Sequence, residues 1–93
     1  MSDATTEPDA PRVRVYWRRG CWFCSSLRRQ LADAGLETEE HDIWADEEAA
    51  AFVRAHARGS ETVPTVDVAG EVRVNPSPSE VLALARAAGI ATA

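Results

Sequence analysis

Val13-Arg14-Val15-Tyr16-Trp17-Arg18-Arg19-Gly20-Cys21-Trp22-Phe23-Cys24 is the stretch whose reading decides the fold. From Arg12, one residue before it, to Trp17 the chain alternates and is rich in β-branched and aromatic residues, which predicts a strand. Arg18-Arg19-Gly20 breaks that pattern. Leu27, Leu31 and Ala34 then recur at helical spacing, so residues 22–34 are expected to form a helix with Arg28 and Arg29 facing water. Gly35 supplies its stop. The two cysteines of the chain therefore fall where a strand gives way to a helix.

Outward from this junction, residues 37–43 read as a short second strand, although Glu39 and Glu40 weaken the pattern. Asp46 is a good N-cap, and Glu47 and Glu48 suit the first turn of a helix carrying Ala49, Phe52, Val53 and Ala57 as far as Gly59. Thr65-Val66-Asp67-Val68 and Glu71-Val72-Arg73-Val74 alternate about Ala69-Gly70, which predicts a tight hairpin. Ser77 or Ser79 can cap a last helix with Val81, Leu82, Leu84, Ala85 and Ala88 on its buried stripe. The order βαβ, α, β-hairpin, α implies a right-handed parallel crossover followed by two antiparallel strands. The expected α/β architecture is a four-stranded mixed sheet with helices on both faces. Residues 1–11 are polar and carry Pro8 and Pro11, so a disordered tail is expected there, with one domain over residues 12–93.

Composition narrows the function classes. The 93-residue chain is 45% hydrophobic and 27% charged, as in ordinary soluble domains. Its formal net charge is −5, but Asp3, Glu7 and Asp9 lie in the expected tail, so the folded part is closer to neutral. All ten basic residues are arginines, and nowhere do they cluster with aromatics as nucleic-acid binding would need. No apolar run is long enough to span a membrane, and the opening residues lack the basic and apolar regions of a secretory signal. A cytoplasmic protein is expected.

In that compartment a structural disulfide is disfavoured, and a bridge across two residues would restrain the unfolded chain little. Redox or metal chemistry remains. Cys21 is expected at the helix N-terminus, where unpaired N–H groups favour an anion and hence a thiolate, with Arg18 and Arg19 just upstream. A thiolate is the attacking species in disulfide exchange. Cys24, three residues on, can reach a mixed disulfide on Cys21 and expel the product. A structural zinc site wants four ligands, and His41 and His56 alone remain, in other elements and without ligand spacing, so no metal site is assigned. An iron–sulfur cluster shared between two chains is an alternative. Trp17 is expected to pack and Trp44 to form a lid or a partly exposed ring. Trp22, beside Cys21, is expected to be exposed and to touch substrate. His41 and His56 read as surface residues.

With Cys21-Trp22-Phe23-Cys24 and Thr62-Val63-Pro64 both in hand, the chain resembles glutaredoxins over residues 13–88. Within that family it is most similar to the mycoredoxin branch, on Glu61-Thr62-Val63-Pro64-Thr65-Val66 and on Asn75-Pro76-Ser77, which stands where glutathione-using members carry Gly-Gly-x-x-Asp. The resemblance implies a thioredoxin-like fold with a cis proline at Pro64 beside the reactive sulfur. It implies reduction of mixed disulfides between mycothiol, or glutathione, and proteins or small molecules, by a monomer that holds no bound cofactor. Cys21 and Cys24 would be catalytic, and Arg18, Trp22, Phe23, Thr62, Val63, Pro64 and Asn75 would bind the thiol substrate. Trp22 departs from the proline of glutaredoxins and the small residue of mycoredoxins at its position. Redoxins that feed electrons to one protein partner are a near alternative, but their Trp-Ser-Gly-Phe-Arg-Pro motif is absent here.

Overall fold

The computed structural model describes residues 12–92, so the tail expected over residues 1–11 lies outside the described residues. The elements follow the expected order: β1 (Val13–Trp17), α1 (Trp22–Asp33), β2 (Glu39–Asp42), α2 (Glu47–His56), β3 (Thr65–Val68), β4 (Glu71–Val74) and α3 (Pro78–Ala87). The strands lie in the order β2-β1-β3-β4. β1 pairs parallel with β2 and antiparallel with β3, and β3 pairs antiparallel with β4. The sheet is mixed, as expected.

Both faces of the sheet are covered because β1 alternates cleanly. Val13 and Val15 point to one side, where they meet Leu27 and Leu31 of α1, Val66 and Val68 of β3, and Val81 and Ala85 of α3. Tyr16 points to the other side and packs with Ile43 and with Ala49, Ala50 and Val53 of α2. The buried hydroxyl of Thr65 on that side is satisfied by donating to the Thr62 carbonyl at 2.9 Å.

The helices start and stop where local chemistry dictates. Asp46 caps α2 by accepting the Glu48 N–H at 3.0 Å, and Ser77 caps α3 by accepting from Glu80 at 3.1 Å. Pro78 sits at the first helical turn, where its missing N–H costs nothing. α1 ends at Asp33, with Gly35 left-handed at φ 79° and Leu36 N–H reaching back to the Leu31 carbonyl. α2 ends at His56, short of the expected Gly59, because Arg58 and Gly59 both turn left-handed and close the helix.

β2 differs most from expectation. It spans Glu39–Asp42 rather than residues 37–43, and its acids do not weaken it. As an edge strand it can carry charge on its rim. Glu39 stands opposite Arg14 and forms ion pairs with Arg14 at 3.2 Å and Arg12 at 2.8 Å, while Glu40 pairs with Arg28. Arg28 is therefore not the solvated residue expected: it is half-buried, with its guanidinium 4.2 Å from the Trp17 ring centroid. Trp17 packs as expected, against that cation.

Candidate functional site

The site begins where β1 ends. Gly20, left-handed at φ 76°, reverses the chain so that Cys21 enters α1 as its N-cap. The Cys21 Sγ accepts the Cys24 backbone N–H at 3.2 Å, taking the place of the usual hydroxyl or carboxylate cap. On its other side the Cys21 Sγ lies 3.9 Å from the Val63 carbonyl, which accepts from it. The Val63–Pro64 peptide bond is cis, the geometry the resemblance implied.

Both cysteines are free thiols. Cys21 retains 8% of its surface and Cys24 none, so only the first sulfur can meet a partner from solution without rearrangement. Burial pushes the Cys24 thiol up from its ordinary 9.0 to about 12, and its hydrogen bond with Cys21 adds to the effect. A backbone hydrogen bond from Arg18 and the Arg18 charge act in the opposite direction.

The other expected site residues divide into two flanks. Along one flank runs an open groove of about 370 Å³. One wall is Trp22, Phe23, Ser26, Leu27 and Gln30 of α1. The facing wall is Pro64 and the Asn75–Pro78 turn. Trp22 and Phe23 are 73% and 67% exposed and meet edge to face at 5.6 Å. Asn75 is left-handed at φ 55° and is tied to the Pro64 carbonyl by its N–H at 2.7 Å, so the two pieces of the far wall are joined. Ser26, Gln30 and Pro78 carry no expectation from the sequence, while Leu27 and Ser77 are read there as core and cap and Pro76 only as part of the Asn75-Pro76-Ser77 stretch. The helical spacing from Trp22 to Ser26 and Gln30 is a usable signal for the near wall, whereas the far wall is marked only through the resemblance, by Pro64 and Asn75-Pro76-Ser77.

The second flank holds Arg18. Its guanidinium lies over the Trp44 ring at 5.3 Å, and Trp44 is 63% exposed. Asp42 organises this side, accepting the Trp44 N–H at 2.9 Å and approaching Arg19 at 3.7 Å. Arg18 is thus close enough for its charge to act on the Cys24 thiol but is not part of the groove. Thr62 is also outside the groove: its hydroxyl bonds Ser60 at 2.7 Å and its carbonyl serves Thr65. His41 is half-buried and stacks on Tyr16 at 4.9 Å, while His56 is exposed. Among the described residues no group of three or more histidine, cysteine or acidic side chains could hold a metal ion. No helix among them is long and apolar enough to cross a membrane.

This geometry has relatives. Two curated sequences from strains of Mycobacterium tuberculosis, named as candidate glutaredoxins, are 38% identical over 72 residues, covering 76% of this chain and 86% of theirs. The glutaredoxin-like NrdH-redoxin from Escherichia coli, whose activity profile is described as thioredoxin-like, superposes with a TM-score of 0.68 at 25% identity, covering 78% of this chain and 93% of that one. A buckwheat glutaredoxin solved with glutathione shares the fold with a TM-score of 0.68 at 18% identity, over 94% of this chain and 87% of the other. The glutaredoxin family profile matches residues 13–73, which run from β1 into β4 and include both cysteines, and on these grounds the chain belongs to the glutaredoxin family.

Proposed function

We propose that the protein reduces mixed disulfides formed between a low-molecular-weight thiol, mycothiol on this reading, and proteins or small molecules. The Cys21 thiolate attacks the thiol-side sulfur of the mixed disulfide. The S–S bond breaks, its electron pair leaves with the released partner thiolate, and a Cys21–thiol disulfide forms. A second molecule of the thiol, as thiolate, then attacks that adduct and restores Cys21. Alternatively Cys24 attacks Cys21, expels the thiol and leaves a Cys21–Cys24 disulfide for later reduction. The observation that carries this reading is the Cys21 Sγ at the N-cap of α1, holding a backbone N–H and facing the Val63 carbonyl, with Cys24 buried behind it.

Val63, Pro64 and Asn75 line the approach to Cys21, and with Arg18, Trp22, Phe23 and Thr62 they make up the thiol-binding surface on this reading. The choice of mycothiol rests on Asn75-Pro76-Ser77 and on the mycobacterial relatives. The protein works as a cytoplasmic monomer, with residues 12–93 as one functional unit. A redoxin serving one protein partner is the second reading, favoured by the likeness to the Escherichia coli redoxin and by the exposed Trp22 and Phe23.

Intact mass spectrometry of Cys24→Ser, incubated in parallel with oxidised mycothiol and oxidised glutathione, separates these. A single adduct forming faster from mycothiol, and lost in Cys21→Ser, is the expected result. Preference for glutathione moves the function to a glutathione-linked glutaredoxin, and no adduct from either thiol moves it to a protein-linked redoxin.

A further inference from the structure

The connection from α2 to β3 carries the cis bond, yet residues 57–64 lie outside every helix and strand. Among the described residues, no backbone N–H of Glu61, Thr62 or Val63 reaches another backbone carbonyl. Side chains fix this segment instead. The Ser60 and Thr62 hydroxyls bond each other at 2.7 Å, and the Thr65 hydroxyl donates to the Thr62 carbonyl at 2.9 Å. Both bonds stay within the connection and the strand it enters. A third tie reaches back to α2, where the Arg54 guanidinium donates to the Glu61 carboxylate at 2.6 Å.

Arg54 grips the connection at two points. Its carbonyl accepts the Gly59 N–H at 2.8 Å, closing the turn that Arg58 and Gly59 make with left-handed backbone. Its guanidinium spans Glu61 with one nitrogen and Glu47, in the first turn of α2, with another. Such a planar fork holds two carboxylates at a fixed spacing. Glu61 stands two residues before Val63, at most about 7 Å of chain away. The Val63 carbonyl in turn faces the Cys21 Sγ at 3.9 Å. The side chains of Arg54 and Glu61 keep 34% and 41% of their surface, and ion pairs so wetted add little to folding stability. Losing this pair therefore frees the turn without unfolding the domain, and the cost falls on what the turn does.

We infer that Arg54 is a positioning residue: through Glu61 it holds the Val63–Pro64 turn against Cys21, and so sets how well a small thiol carrying amide groups is captured. Arg54 acts at one remove, its guanidinium bonding Glu47 and Glu61 and neither cysteine. The inference rests on the function proposed above and deepens it by naming what keeps the thiol-binding turn in place.

The test follows capture of disulfides by Cys21 in the Cys24→Ser protein, read by intact mass. The Cys21 thiolate attacks one sulfur of oxidised mycothiol or oxidised glutathione, and the S–S bond breaks. One half leaves as a thiolate with the electron pair, and the other stays on Cys21. Bis(2-hydroxyethyl) disulfide undergoes the same exchange but has no amide for the turn to hold. Arg54→Glu and Glu61→Arg are each expected to slow capture of the faster oxidised thiol about three- to fivefold, the most that one exposed pair transmits. Capture of bis(2-hydroxyethyl) disulfide is expected to change less than about 1.5-fold, because its reaction draws on the sulfur alone. Combining the two substitutions exchanges the charges and is expected to restore thiol capture to within about twofold. Glu47→Gln removes the other partner of Arg54 and is expected to leave capture of every disulfide unchanged. Unchanged thiol capture in both single variants, or no recovery in the double, overturns the inference. So does equal slowing of all disulfides with a lowered urea midpoint, which would make the pair a contact of the fold alone. Capture of bis(2-hydroxyethyl) disulfide alone by the parent overturns it as well, since the turn then holds no amide-bearing thiol. No adduct from any disulfide in the parent fails Cys21 as nucleophile and the inference with it, whereas parent adducts that the variants leave unchanged overturn the inference alone.

Discussion

The depth of Cys24 bears on how the proposed reaction would complete its cycle. Its thiol is fully covered, and burial pushes it up from the ordinary 9.0 to about 12. At pH 7 roughly one molecule in 10⁵ carries the thiolate that could attack, a thousandfold fewer than for an unperturbed cysteine. When Cys21 is tied up in a mixed disulfide its hydrogen bond and charge no longer act on Cys24, but the larger effect, burial, persists. The sign is fixed: a raised thiol pKa keeps the attacking form scarce until alkaline pH. In wild-type protein loaded with one thiol on Cys21, expulsion of that thiol by Cys24 is expected to accelerate about tenfold per pH unit from pH 7 to beyond pH 9. Rapid acid quench and mass spectrometry of the Cys21 adduct follow it directly. A rate that levels off at or below pH 8 would refute the reasoning, because it would mean the buried thiol ionises like an exposed one. The same scarcity predicts that Cys24→Ser keeps most of the turnover supported by excess small thiol near neutral pH.

Two predictions concern the fold that holds the site. Leu31→Ala, at a position with no exposed surface between α1 and the sheet, is expected to cost ~2–5 kcal/mol in urea unfolding, and a much smaller loss would contradict the packing described. Asp46→Ala removes the oxygen that caps α2 and is expected to cost about 1 kcal/mol by the same measurement, whereas Asp46→Asn, which keeps an acceptor, should cost less.

Much of this molecule is legible in its sequence because its elements obey short-range rules. The β3–β4 hairpin appears over the expected residues since each strand alternates and Gly70 permits the turn at φ 97°. Asp46 and Ser77 act as caps because capping is local chemistry between neighbours. The strand-to-helix position of Cys21 follows for the same reason. What escaped were pairings across the chain. Glu39 and Glu40 look hostile to a strand until Arg12, Arg14 and Arg28 are brought beside them. Arg28 looks solvated until Trp17 is folded beneath it. Arg18 reads as a partner for the sulfur from spacing alone, yet its guanidinium settles on Trp44, 26 positions further along. The groove is the plainest case, since Trp22 and Pro76 share it only through the crossing of β1, β3 and β4.

The order of the strands assigns the two walls of that groove different mobilities. Cys21 and the α1 wall hang from β1, which is laced to a neighbour on each side. The Asn75–Pro78 wall hangs from β4, which has a neighbour on one side only. Local opening costs least where backbone pairing is one-sided. Amide hydrogens of β4 should therefore exchange well before those of β1. The outer jamb of the cleft is thus expected to yield first, while the sulfur stays anchored to a strand held along both its edges.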